Sequence, residues 1–333
     1  MIVLPRMHLC YYILCLILMT SSAQLYAEQL IRFGTGGSAG SYFPVGSAIA
    51  KEINQRSVAC CSDNPLLVIP QRSNGSVSNI RDLGDNLLEI ALAQADVVSL
   101  AYQGMGQFES VELKSVLRTI GTLYQESVHL VVAVDSNINS IADLTGKRVA
   151  VDELGSGTQF DAELILAASG MSSADVKPIY LKPADSIKRM RSGLVDAIFI
   201  VSAYPVVAVQ KLIEDGVGQV VSLGNDLISD LANEHLYFSA QSIPPDIYAG
   251  DEEINTLSVS AQMIVRADLP TAAAYEITST LWSDTTLRAL LNSHPRGSDL
   301  VAGNALQGVG IPLHPGALRY YKEQNYDLSG VPR

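Results

Sequence analysis

The sequence predicts an α/β protein of two lobes joined by crossing strands, with a cleft between the lobes. Three observations carry this expectation. Short β-branched runs alternate with amphipathic helical stretches in the order β-α-β-α-β-α, which builds a parallel sheet with right-handed crossovers. A pair of consecutive strands then breaks the series, and the alternation restarts behind it. Beyond its leader the chain runs to about 300 residues, more than one comfortable core, so two lobes are the default.

The first residues set the compartment. Arg6 precedes an apolar run, Leu9–Met19, and small or polar residues follow to Ala27. A charged start, a short apolar centre and a small-residue exit read as a cleavable secretory signal over 1–27, and the run is too short for the ~20 apolar residues of a membrane span. Export to the periplasm is therefore expected. Removing 1–27 takes away Arg6 as its only charged residue and moves the formal charge from −12 to −13. Such an acidic chain is not expected to partner nucleic acid or an anionic membrane. Any anionic ligand must be held locally, against the field of the whole chain.

From residue 28 onward the elements follow in order. Strands are expected at 30–34, 66–70 and 89–94, and helices at 41–55, 76–85 and 95–103, where apolar residues recur three or four apart. Val116–Tyr124 and Val128–Val134 read as the consecutive strand pair. Strands at 147–151, 176–180, 195–201 and 218–222 follow, with helices at about 158–168, 183–192 and 205–214 between them. One late strand covers Ser258–Val265, and 270–325 is mostly helical. The chain would enter the second lobe near 136 and return near 250. This gives lobe one as 28–135 plus 250–333 and lobe two as 136–249.

Each lobe carries a strand–glycine–helix turn near its start, Gly34–Gly40 in one and Gly155–Thr158 in the other. A helix N-terminus leaves N–H groups unpaired and carries partial positive charge, and glycine lets an anion approach the backbone closely. Gly34, Gly36 and Ala39 match the spacing of a dinucleotide turn, but a nicotinamide cofactor is excluded on three counts. No acidic residue ends the second strand (Val68-Ile69-Pro70-Gln71-Arg72), bulky Tyr42-Phe43-Pro44 opens the helix, and the chain is exported. Two turns at matching positions of two lobes point instead to a small anion gripped between them, with no cofactor.

Neither a metal set nor a catalytic one emerges. There is no Cys-x-x-Cys, no histidine pair at helical spacing and no acidic ladder. Cys60-Cys61 sit together in a loop-like stretch, where a vicinal disulfide and two free thiols both remain open. His235, His294 and His314 read as structural or exposed, with loop capping expected of His314. His129 and Tyr124 read first as packing or hinge residues. Asp96 reads as a helix N-cap, and Ser76 as both a cap and a ligand contact.

In order along the chain, Gly34–Pro44, Asn74–Asn79, Ala93–Val97, Val128–Val132, Leu144–Val149, Gly155–Thr158, Ala203–Pro205 and Leu313–Ala317 resemble the motifs of the TAXI solute-binding proteins. These are the extracytoplasmic subunits of one branch of TRAP transporters. The resemblance implies a type II periplasmic-binding-protein fold that closes like a clamshell. It also implies a carboxylate solute such as glutamate or a dicarboxylate, and handover to a TRAP membrane permease. Several places depart from the family pattern: Ser73-Asn74-Gly75-Ser76 stands where paired glycines are usual, Ser202-Ala203 where Ala-Gly is common, and Arg72 and the Cys60-Cys61 loop are also unusual.

The residues expected to bind the solute are Gly36, Gly37, Ser38, Tyr42, Ser73, Asn74, Gly75, Ser76 and Gln94 on lobe one. Gly155, Ser156, Gly157, Thr158 and Tyr204 are expected to do so on lobe two. A monomeric, non-enzymatic binding protein is the resulting expectation. The alternatives are an exported transferase-type enzyme on the same bilobal fold, and a sensor whose occupancy is read by a signalling partner.

Overall fold

The computed structural model describes residues 28–37, 40–59, 64–248, 250, 252–293 and 300–333. Residues 1–27, where a leader is expected, and Ser38, Cys60, Cys61 and His294 lie outside the described residues. The first half begins with β1 (Gln29–Gly34), α1 (Tyr42–Ala59), β2 (Leu66–Gln71), α2 (Ser76–Gly84), β3 (Ile90–Gln94) and α3 (Ala95–Gln103). β1 pairs in parallel with both β2 and β3, the expected product of β-α-β crossovers. All five residues of β3 are buried, as befits a strand covered on both faces.

β4 follows as one strand of 17 residues, Leu117–Ala133, where the sequence suggests two. Gln125-Glu126-Ser127 looks like a polar break between apolar runs, but the ladder continues through it. Ser258, Val259 and Ser260 pair with Ser127, Glu126 and Gln125. The partner strand is β10 (Ile254–Arg266), five residues longer than the expected 258–265. The second half contributes β5 (Arg148–Ala150), α4 (Gly157–Ala168), β6 (Lys177–Ile179), α5 (Pro183–Arg191), β7 (Ala197–Ser202), α6 (Val207–Glu214) and β8 (Gly218–Val221). It also contains α7 (Asn225–Glu234) and β9 (Phe238–Ile243), a helix and strand not foreseen from the sequence.

The sheet runs β2-β1-β3-β10-β4-β7-β5-β6, with β8 on β4 and β9 on β10. A parallel set of strands thus stands at each end, and the long antiparallel pair β4–β10 joins them. The lower part of β4 pairs with β10 and, at Thr119, bridges to Leu313, while its upper part, from Ser127 onward, pairs with β7 and β8. Both strands therefore pass from one half to the other. This is the bilobal fold of the periplasmic-binding-protein type.

Each half has a core on both faces of its sheet. In the first, Ile31, Phe33, Ile49 and Ile53 meet α8 (Thr271–Leu281), α9 (Asp284–Ser293) and α10 (Pro315–Glu323) on one side. Val77, Ile80, Val97 and Phe108 fill the other side. In the second half, Leu130, Val149, Ile165 and Phe199 form one core, and Val131, Ile187, Ile198 and Leu212 form its opposite.

α10 packs on the first half beside α8, and its entry is fixed by His314. The His314 ring accepts from the Gly316 N–H at 3.1 Å and so caps the helix. Gly316 then lies against α8 backbone to backbone. A Cβ there would fall 2.4 Å from the Thr271 carbonyl oxygen and 2.6 Å from the Tyr275 nitrogen, neither of which can swing aside. Gly316→Ala is accordingly expected to lower unfolding stability by about 1–3 kcal/mol. Denaturant titration checks this, and an unchanged midpoint would show that α8 and α10 slide apart freely.

Candidate functional site

Four helices point their N-termini at one place. α1, α2, α4 and α5 all begin at a cavity of about 290 Å³ that lies between the halves. Gly36, Gly37, Tyr42, Ser73, Asn74, Gly75, Ser76 and Gln94 line it from the first half. Ser156, Gly157 and Thr158 line it from the second. Lys182, Pro183 and Ala184 add the start of α5. Two expected residues are not in the wall. Gly155 forms the turn behind it at φ 88°, a conformation glycine adopts without strain. Tyr204 is buried in the second half's core with Ile200, Val209 and Tyr248.

The halves touch directly beside the cavity. Ser78 is the third residue of α2, where an N–H has no partner in its own helix. It donates instead to the Gly155 carbonyl of the other half at 3.0 Å. Asn74 Nδ2 donates to the Leu154 carbonyl at 3.3 Å, and Gln94 Nε2 donates to Asp161 Oδ2 at 2.7 Å. The Ser156 hydroxyl caps its own helix, accepting from the Gln159 N–H at 3.0 Å. Gly157 and Thr158, the first two residues of α4, have N–H groups with no carbonyl one turn back. Gly157 also has no space for a side chain, since a Cβ would lie 1.2 Å from Gln94 Oε1.

Ser76 differs from its expected role. Gly75, not Ser76, occupies the N-cap position of α2. The Ser76 hydroxyl instead donates to Gln94 Oε1 (3.2 Å) and accepts from the Gln94 N–H (3.1 Å), tying α2 to the end of β3. Asp96 likewise is not the N-cap of α3, since that position is Gln94. Its carboxyl is fully buried and faces Asp161 of α4 across the boundary between the halves. Burial raises Asp96 to about 6. It pushes Asp161 up as well, with the neighbouring Asp96 charge adding to the effect. Two facing carboxyls sealed from water fit one shared proton.

Acidic groups outnumber basic ones around the cavity. Glu126, on β4 where the strand passes between halves, is 3% exposed. Its Oε2 accepts from the Tyr42 hydroxyl at 2.8 Å and its Oε1 from Ser41 at 3.1 Å. Burial pushes it up to about 8. Asp152 is likewise raised to about 7 by burial, although its Oδ1 accepts from the Glu153 N–H at 2.8 Å. Glu153 pairs with Lys182 at 3.4 Å, and the Arg72 guanidinium lies 4.5 Å from the centre of the Phe43 ring. His129 is no part of the wall. Its Nε2 accepts from the Tyr248 hydroxyl at 2.9 Å and its Nδ1 donates to the Ile200 carbonyl at 3.2 Å, while burial lowers it to about 4. It is a neutral packing residue at the crossing strands.

A sequence model of the NMT1-like family matches residues 33–324. The chain belongs to the NMT1-like family. The matched span covers both halves and every element that opens onto the cavity. Among solved structures, one of a protein from Bordetella bronchiseptica RB50 is similar at TM-score 0.51 and 17% identity, covering 91% of this chain and 92% of that one. Another, described as a periplasmic transporter, gives TM-score 0.51 at 11% identity over 89% and 94% of the two chains. The alkanesulfonate-binding protein SsuA from Xanthomonas axonopodis pv. citri, bound to MOPS, gives 0.48 at 16% identity over 89% and 84%. The two likenesses at TM-score 0.51 establish the shared fold of this family member. No helix among the described residues is long and apolar enough to cross a membrane.

Sequence reasoning missed Ser41, Glu126, Asp152, Glu153 and Lys182 in the wall. Glu126 carried a usable signal, a lone acid inside an otherwise apolar or neutral stretch from Thr119 to Ala133. Lys182 and Asp152 look like ordinary loop charges until the second half is folded.

Two outcomes are expected from this geometry. Gly157→Ala forces a methyl into Gln94, whose amide is held by Ser76 and Asp161, so the halves are held apart. Small-angle X-ray scattering should give a larger radius of gyration with unchanged circular dichroism, and an unchanged radius would mean that Gln94 yields instead. The Asp96–Asp161 contact sets a pH dependence. Both carboxyls are raised in the folded state, so it binds a proton that the unfolded chain releases near pH 4. Their favourable contribution is complete below pH ~4 and is lost as pH rises, for Asp96 through about 6 and for Asp161 well above the ordinary carboxylate range. Melting temperature should therefore fall between pH 5 and pH 8, and Asp161→Asn should shrink that fall by ~3 °C or more. An equal fall in both proteins contradicts the shared proton.

Proposed function

We propose that this chain is the extracytoplasmic solute-binding subunit of a transporter, of the TAXI-type TRAP class. It captures a small carboxylate, such as glutamate or a dicarboxylate, and hands it to a membrane permease. The observation that carries this reading is the convergence of four helix N-termini on one cavity between two hinged halves. Unpaired N–H groups and the positive ends of helix dipoles favour a carboxylate there without any fully neutralising cation. Arg72 at the rim adds a local positive charge. The leader over 1–27 supports export to the periplasm, and the fold shared with a periplasmic transporter agrees with it. The first half binds through α1, α2 and Gln94, and the second closes on the solute through Ser156–Thr158. Occupancy then shifts the balance between open and closed forms, and the permease reads the closed one. The protein works as a monomer and makes or breaks no bond.

Native mass spectrometry of freshly purified protein tests this, because enclosed clefts retain their ligand. A retained carboxylate is expected, and calorimetry with the stripped protein should then give binding of that compound. Silence across amino acids, dicarboxylates and oxoacids would contradict the reading.

A further inference from the structure

Glu126 is the feature of the cavity that a simple anion site does not explain. It sits in the wall, on the strand pair that joins the halves, and is 3% exposed. A carboxyl in such a place needs either a cation or a proton. Among the hydrogen bonds of the described residues, its partners are hydroxyls rather than ammonium or guanidinium groups. The Tyr124 hydroxyl donates to Ser41 at 3.1 Å, Ser41 donates to Glu126 Oε1, and Tyr42 donates to Oε2 at 2.8 Å. The chain of hydroxyls thus delivers two donated hydrogens to one carboxyl, the pattern that suits an ionised acceptor. Each oxygen still has a lone pair to offer. The cations near the cavity are placed elsewhere, Lys182 on Glu153 and Arg72 over Phe43. Burial without a positive neighbour is what drives Glu126 up to about 8, so a positive group arriving beside it would return it to the ionised form.

We infer that Glu126 is the acceptor for a protonated amine on the ligand, so that the solute is a zwitterion of the amino-acid class rather than a simple dicarboxylate. This rests on the solute-binding reading above and narrows it. The ligand's carboxylate meets the N–H groups at the starts of α2 and α4, and its ammonium meets Glu126 on the floor between the halves. Such an arrangement keeps the bound ligand close to neutral inside an acidic protein. It also explains why an acid lines a cavity built to receive a carboxylate. Tyr42 and Ser41 act as positioning residues that hold the Glu126 carboxylate in place.

The test is calorimetry of stripped wild-type protein with each of the twenty common L-amino acids and, for every binder, with the same carboxylic acid lacking its amine (L-glutamate beside glutarate, for example). Wild type should bind at least one amino acid about tenfold or more tighter than its deaminated partner, and Glu126→Gln should bring that ratio to within about threefold. Glu126→Asp keeps the charge but draws it back, and should give an intermediate ratio. Should Glu126→Gln fail to fold, the wild-type ratio and that of Glu126→Asp still decide. Equal or tighter binding of the deaminated acid, or a ratio that survives in Glu126→Gln, overturns the inference while leaving carboxylate binding intact. Absence of binding to every amino acid overturns this inference, and the function on which it rests falls with it only if the dicarboxylates and oxoacids of the panel above are silent as well.

Discussion

The starts of α2 and α4 meet head on, and the rest of the site depends on that meeting. Two helix N-termini carry like partial charges and unpaired N–H groups, so bringing them together is unfavourable unless acceptors lie between them. One acceptor is built in, the Gly155 carbonyl that takes the Ser78 N–H. Gly157 and Thr158 direct their helix end at the cavity, where a ligand oxygen can serve. The approach is possible only because residue 157 has no side chain to meet Gln94. Gln94 in turn reaches across to Asp161, so the same amide that demands glycine at 157 also ties the halves together.

Charge is managed locally throughout. The chain carries a formal charge of −12, and its field alone would repel an anion. Backbone dipoles act over a few ångströms, where they outweigh exposed charges that lie farther off and are screened by salt. The buried acids are correspondingly kept from full ionisation or placed where a partner can reach them. Asp96 and Asp161 face each other with a proton to share, and Glu126 lies at the end of a hydroxyl chain. The Asp96–Asp161 contact thus keeps two carboxyls buried where the halves meet beside the cavity.

Much of the scaffold was legible because period and spacing declare it. β1, β2, β3, α2 and α3 fall within one or two residues of the expected bounds, since apolar repeats and flanking glycines mark both ends. The errors have physical causes. Gln125-Glu126-Ser127 reads as a break because sequence cannot show that β10 continues the ladder beside it. α7 and β9 were missed because Asn225–Glu234 is weakly apolar overall and Phe238–Ile243 carries Ser239, Gln241 and Ser242 where a β-branched run would mark a strand. At the site, glycine turns were visible as local signals, whereas Glu126, Asp152 and Lys182 become cavity residues only when the two halves are folded against each other. Tyr204 shows the reverse, a residue placed by its motif beside the cleft yet turned into the core by packing against Tyr248.

The most direct measurement is amide hydrogen exchange at Ser78, whose N–H crosses from one half to the other. It should be compared in protein saturated with the solute it retains and in protein stripped of that solute by unfolding and refolding. Closure on the solute requires slow exchange in the first and markedly faster exchange in the second, with the neighbouring interior of α2 unchanged. The same rate in both would mean that the two helix ends are permanently locked, and that no gripping motion exists.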